Sequence, residues 1–202
     1  LVVLVAALGA LFLLPADEKT HQIAKKIDKE VKIGVLLGFT GPIESLTPDM
    51  ASGAELAIKE ASESGAFLNG SQITSVRGDS TCVDAAAATA TAERLITSDG
   101  ISAIMGADCS GVTTAILQNV ATAKGIVMIS PSATSPALST IEDNGFFFRT
   151  SPSDARQGQV LAAILKEKGV KSAALTYTNN DYGKGLADSI QNNFEMIGGK
   201  IT

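Results

Sequence analysis

Three hydroxyl residues stand where apolar segments break off: Ser110 after ISAIMGADC, and Ser132 and Thr134 after GIVMIS. Such residues cap helices wherever helices begin. They also suit a binding site, because the first N–H groups of a helix have no helical acceptor and the helix dipole favours an anion there. Ser110 can offer a hydroxyl and an N–H to a carboxylate. Thr134 can offer the same two groups one structural unit later, and the carbonyl of Ala133 can accept from an ammonium. Read singly, each hydroxyl is a cap; read together, at neighbouring strand ends, they form a small-molecule site.

Parts for bond-breaking chemistry are missing. The single histidine, His21, precedes the first strand, so a histidine-based triad or a histidine zinc site has no candidate inside the domain. Cys109 has Asp108 as its nearest charge, the opposite of the cationic setting that makes a thiolate. After the first strand comes Gly38-Phe39-Thr40-Gly41-Pro42, which lacks the G-x-G-x-x-G dinucleotide pattern, and Asp79 at the end of the second strand is a lone acid. The sequence therefore predicts a binding protein rather than an enzyme, with no cofactor and no metal.

Positioning these residues requires a regular scaffold, and the chain alternates accordingly. VKIGVLLGF is a continuous apolar strand of the kind buried on both faces. Thr47-Pro48-Asp49 then offers an N-cap, a proline at the first helical position and an acid in the first turn, ahead of Met50, Ala54, Ala57, Ile58 and Ala61 at helical spacing. QITSVRGD, ISAIMGA and IVMIS read as further strands. CVDAAAATATAERLI reads as a helix with Ala88, Ala92, Leu95 and Ile96 inward. A helix capped by Ser110 carries Val112, Ala115, Ile116, Val120 and Ala123, and Gly125 ends it. Strands alternating with helices imply an α/β, doubly wound parallel sheet. Its ligands lie beyond the carboxyl ends of the strands, where Ser110 and Thr134 fall. A carboxylate and an ammonium on one carbon describe an amino acid.

The rhythm breaks in SPSATSPALSTIEDNGFFFRTSPSDARQG, a Ser- and Pro-rich crossover holding one short strand, FFFRT, and then resumes. A helix runs from about Asp154 to Lys168, a strand follows at KSAALTYT, and a second helix carries Leu186, Ile190, Phe194 and Ile197 before KIT opens another strand. The predicted organisation is a leader or anchor with a charged linker over residues 1–30, a first lobe over 31–150, and the start of a second, incomplete lobe over 151–202.

A net charge of -5 without a Lys/Arg block excludes nucleic acid as a partner. The opening run LVVLVAALGALFLLPA has the length of a secretory leader and falls short of the roughly 20 apolar residues of a spanning helix. An uncleaved anchor and a buried core helix are the other readings. If the chain is exported, Cys82 and Cys109 are an even pair in an oxidising compartment and a disulfide is expected; otherwise they are two free buried thiols.

Taken together, VKIGVLLGFTGP, GDSTC, DGISAIMGADCSG, GIVMISPSATSP, FFFRTSPSDARQG and DYGKGLA resemble the type 1 periplasmic binding proteins of ABC transporters, in particular the branched-chain amino acid group. The resemblance covers nearly everything from Val31 onward. It implies a monomeric periplasmic or extracellular protein whose two lobes close on an amino acid and deliver it to a membrane permease. It implies ligand anchoring by Ser110 and by the pair Ala133 and Thr134, with Tyr182 closing from the second lobe. It also implies a Cys82–Cys109 disulfide, which puts Cys109 beside the anchoring serine. Leu46 stands where several members place an aromatic, and Gly111 where a serine is frequent, so the side-chain pocket differs. Other readings of the same fold are a receptor's extracellular sensor domain, or a binder of amides, urea or aromatic acids.

Overall fold

A computed structural model of the protein describes residues 30–202. The apolar run and His21 lie outside the described residues. The chain runs β1 (Val31–Leu37), α1 (Thr47–Glu63), a 3-10 turn (Phe67–Gly70), β2 (Ile73–Asp79), α2 (Ala85–Thr97) and β3 (Ala103–Gly106). Helix α3 begins as Ser110–Ile116, widens into a π-turn at Leu117–Ala121 and finishes as Thr122–Lys124. Next come β4 (Val127–Ser130), a 3-10 turn (Pro136–Ser139), β5 (Phe147–Arg149), α4 (Asp154–Glu167), β6 (Ser172–Ala173), α5 (Asp181–Met196) and β7 (Lys200–Ile201).

Five strands form one sheet in the order β2-β1-β3-β4-β5, and β6 and β7 form a second. The pairs β1–β3, β3–β4, β4–β5 and β6–β7 are parallel. Because the chain steps from β1 outward to β2 and then back across to β3, the strand order switches direction between β1 and β3. Loops leaving a switch point in opposite directions open a crevice at the carboxyl ends of those two strands.

Register explains the core. Gly34, Ile104, Met128 and Phe147 stand in one row across the sheet. The large members of that row pack with Ala88, Ala92 and Leu95 of α2 and with Val112, Ile116, Leu117 and Ala121 of α3. Taking side chains of this size out of water contributes about 1.5–3 kcal/mol each, which is what holds α2 and α3 on this face. The alternate row, Val35, Met105, Ile129 and Phe148, is closed at Val35 but opens to solvent at Ile129 and Phe148, 44% and 54% exposed.

Several local expectations are corrected. Thr47 is the first residue of α1, and its hydroxyl donates to the Glu44 carbonyl instead of capping forward. Ala57 is exposed, since the buried side of α1 is set by Thr47 and Ala51. In α3 the π-turn rotates the inward face, so Leu117 and Ala121 are buried and Ala123 is exposed. Gly125 ends α3 in the left-handed conformation (φ 66°), which only glycine adopts without strain. Of the predicted strand KSAALTYT, Ser172–Ala173 pair, in parallel with Lys200 and Ile201 of β7.

The described chain divides into two compact units. The smaller contains Leu56–Thr74 together with residues 30–31. Within it Val31 N–H donates to the Gln72 carbonyl (2.9 Å), and Ile73 N–H donates to Ser62 Oγ (3.0 Å). The larger, Lys32–Glu55 and Ser75–Thr202, holds every candidate site residue. Among the described residues no helix is long and apolar enough to cross a membrane.

Candidate functional site

The carboxyl ends of β3 and β4 are stitched together by serines. Ser130 Oγ, which closes β4, donates to the Ala107 carbonyl (2.5 Å) and accepts from Ala133 N–H (2.9 Å). Ser132 Oγ donates to the Asp108 carbonyl (2.9 Å). Ser110 Oγ accepts from Ser135 N–H (3.1 Å). Ser110, Ala133 and Thr134, expected together at neighbouring strand ends, lie in one cluster.

These bonds also fix what each anchor can still do. Ser110 is the first residue of α3 rather than its cap; Cys109 occupies the cap position and makes no side-chain cap bond. The Ser110 oxygen accepts one bond, from Ser135 N–H, and keeps its proton and a second lone pair, so it can still donate to an anion. Thr134 is the reverse. Its hydroxyl donates to Asp154 Oδ2 (2.9 Å), leaving its oxygen as an acceptor for a cation. The Ala133 carbonyl accepts from Arg149 Nη1 (3.3 Å) and keeps its second lone pair.

Arg149 and Asp154 were not anticipated. Arg149 ends β5, and its guanidinium also donates to the Ser135 carbonyl (2.9 Å) and to Ser139 Oγ, which ties the loop after β4 to the sheet. Burial pulls its pKa down, opposed by the nearby Asp154 carboxylate. Asp154, 1% exposed at the start of α4, has its carboxyl pushed above the usual range by burial, against the opposing pull of the Thr134 hydroxyl and Arg149. The signal available in the sequence was a charge closing the aromatic strand FFFR and an acid behind Ser153, itself the N-cap of α4.

On the other side of the crevice Asp108, 2% exposed, does the equivalent work. Its Oδ2 accepts from Gly38 N–H (2.6 Å), and its Oδ1 from Ser80 Oγ (3.2 Å) and Cys109 N–H (3.0 Å). One carboxylate therefore holds the ends of β1, β2 and β3. Next to it Cys82 and Cys109 form a disulfide with Cα atoms 5.2 Å apart. Asp79, weighed as a ribose ligand, accepts from Thr40 Oγ1 (2.6 Å) and Thr81 N–H (2.8 Å) and is a loop clamp. Burial raises its pKa, but the bonds from Thr40, Thr81 and Phe39 outweigh that and leave it lowered.

Leu46 lies in the loop after β1 and is 59% exposed. Tyr182, in the first turn of α5 and 44% exposed, lines a cavity of about 200 Å³ with Tyr177, Leu186 and Ile190. A larger cavity of about 590 Å³ runs beside Ser135 and Pro136, bounded by α4 and α5. Among the described residues no cluster of His, Cys, Asp and Glu could hold a metal ion.

Comparison with known proteins agrees with this architecture. Residues 30–202 match the family model described as periplasmic binding protein. The chain is 32% identical over 174 residues to the Leu/Ile/Val-binding protein of Citrobacter freundii, a match covering 86% of this chain and 46% of that protein. It is 32% identical to the chemotactic signal transduction system substrate-binding protein BasB of Halobacterium salinarum, covering 78% of this chain and 40% of that one. In structure it is similar to the branched-chain amino acid transporter substrate binding protein LivJ of Streptococcus pneumoniae in complex with isoleucine. That likeness has a TM-score of 0.75 and 31% identity, covering 86% of this chain and 48% of the other. The chain spans about half the length of the curated relatives it matches. A parallel sheet with this switch point, its serine-stitched strand ends and a family match across all the described residues place the chain in the periplasmic binding protein family.

Proposed function

We propose that this chain supplies the anchoring lobe, and the beginning of the closing lobe, of an extracytoplasmic binding protein. The whole protein captures a branched-chain amino acid and hands it to an ABC transporter permease, as a monomer and without chemical change. The observation that carries this reading is the opposed polarity of the anchors. In this reading the Ser110 hydroxyl, which can still donate, meets the α-carboxylate, and Thr134 Oγ1 and the Ala133 carbonyl, each with accepting capacity left, meet the α-ammonium. Only a ligand with both groups uses both halves. In this reading residues 31–150 are the first lobe and the second begins at residue 151, bringing Tyr182 over the ligand by hinge closure. Leu46 and Cys109 border the pocket. The disulfide supports an oxidising location, and the N-terminal apolar run serves as leader or anchor.

The test is a calorimetric titration with isoleucine of the protein expressed from its complete reading frame, alongside a Ser110→Ala/Thr134→Ala double variant. Hydrogen bonds to charged groups contribute about 1.5–3 kcal/mol each, so the variant should bind at least about a hundredfold more weakly while keeping its circular dichroism. Unchanged affinity would contradict the site.

A further inference from the structure

The motif DYGKGLA contains two glycines that amino acid anchoring does not explain. Gly183 is accounted for locally, since a side chain there would collide with the carbonyl of Thr178 in the preceding turn. Gly185 is different: a Cβ on it would lie 2.9 Å from Pro136 Cδ and 3.1 Å from Ser135 Oγ. That pair belongs to the loop after β4 and cannot easily yield. The Ser135 N–H is held by Ser110 Oγ, its carbonyl is held by Arg149, and Pro136 Cδ is a ring atom.

Helix α5 is otherwise built onto α4. Gly158 leaves room for Ser189, whose hydroxyl donates to the Ala155 carbonyl (3.3 Å), and Ala187 and Phe194 are buried. Toward the five-stranded sheet the packing is sparse. Asp181, one turn before Gly185, comes within 3.6 Å of where a Cβ on Gly111 would stand, beside Ser110. Next to these touches lies the cavity of about 590 Å³, bounded by Thr114, Pro136, Gln159, Asp188 and Asn192. Helix α5 thus packs closely on α4 and meets the loop after β4 in a narrow touch beside an open cavity, all within the larger compact unit.

We infer that Gly185 is the seat at which α5 meets the Ser135-Pro136 loop when the protein closes on its ligand, and that its lack of a side chain sets how tightly the ligand is held. The inference rests on the binding function proposed above. A Gly185→Ala variant of the complete protein separates the possibilities when compared with wild type and with Gly53→Ala, an α1 position with nothing within 4 Å of a new Cβ. Both substitutions favour the helix. One methyl group forced into a filled contact should weaken isoleucine binding by about tenfold in Gly185→Ala alone. Its ligand-free melting temperature should stay level or rise, because the open form does not make the contact. Equal affinity in both variants would overturn the inference. So would a fall in the ligand-free melting temperature of Gly185→Ala, which would make the contact permanent packing. Failure of the wild type to bind Leu, Ile or Val would instead remove the function on which the seat depends.

Discussion

Asp79 and Asp108 show how a residue's role follows from what its oxygens already hold. Asp79 stood where a ribose-binding acid would, yet Thr40 and Thr81 occupy its carboxylate. Removing it in Asp79→Ala should cost about 1–3 kcal/mol at neutral pH, read from denaturant unfolding, because three loop donors lose their acceptor. The pH dependence has a definite sign. The folded-state pKa is lowered, so the stabilisation is complete above the unfolded value near 4 and drains away as pH falls through the lower folded value. The gap between wild type and variant should therefore narrow only in acid. Asp154 works in the opposite sense, its raised pKa giving a contribution that is greatest below the unfolded value and lost as pH rises through the folded one. Ser110, Ala133 and Thr134 were legible because hydroxyls and small residues after apolar runs mark strand ends. Their donor and acceptor roles were not, because those depend on Ser135, Asp154 and Arg149, each remote in sequence from at least one anchor.

At the scale of elements, alternation of apolar strands with Ala-rich helices was readable, and the parallel sheet follows from it. Boundaries were less so. The N-terminus of α3 is decided by Cys109, which takes the cap position while tied to Cys82, so Ser110 shifts inward and its hydroxyl reaches the neighbouring loop. The π-turn in α3 left no mark in the spacing of its apolar residues, and it moves the buried face from Ala123 to Ala121. The disulfide joins the loop after β2 to the start of that helix across a separation of 27 residues, a loop whose closure contributes about 3–4 kcal/mol on the chain-entropy model. A Cys82→Ser/Cys109→Ser variant should lower the melting temperature markedly, and dithiothreitol should lower that of the wild type but not of the variant. An equal effect of reductant on both would show that the bond does not carry this stability.

For the molecule as a whole, the strand order β2-β1-β3-β4-β5 puts the switch point between β1 and β3, so the candidate residue Ser110 stands at its edge, with Ala133 and Thr134 at the end of the neighbouring strand β4. Composition, a single histidine placed ahead of the first strand and the lack of a glycine fingerprint favour binding as the reading of the sequence. Sequence alone could not supply the approach of α5 to the loop after β4, since glycine at position 185 gains meaning only from Pro136, 49 residues earlier. The central claim is that the crevice holds a molecule bearing both a carboxylate and an ammonium. It is tested most directly by thermal-shift measurements on the complete protein with leucine, isoleucine and valine beside amides and aromatic acids, because a ligand that binds only the folded state raises its melting temperature. A rise with the branched-chain amino acids, and none with the matching acids that lack the amino group, is the predicted result. A rise with amides or aromatic acids alone would contradict it.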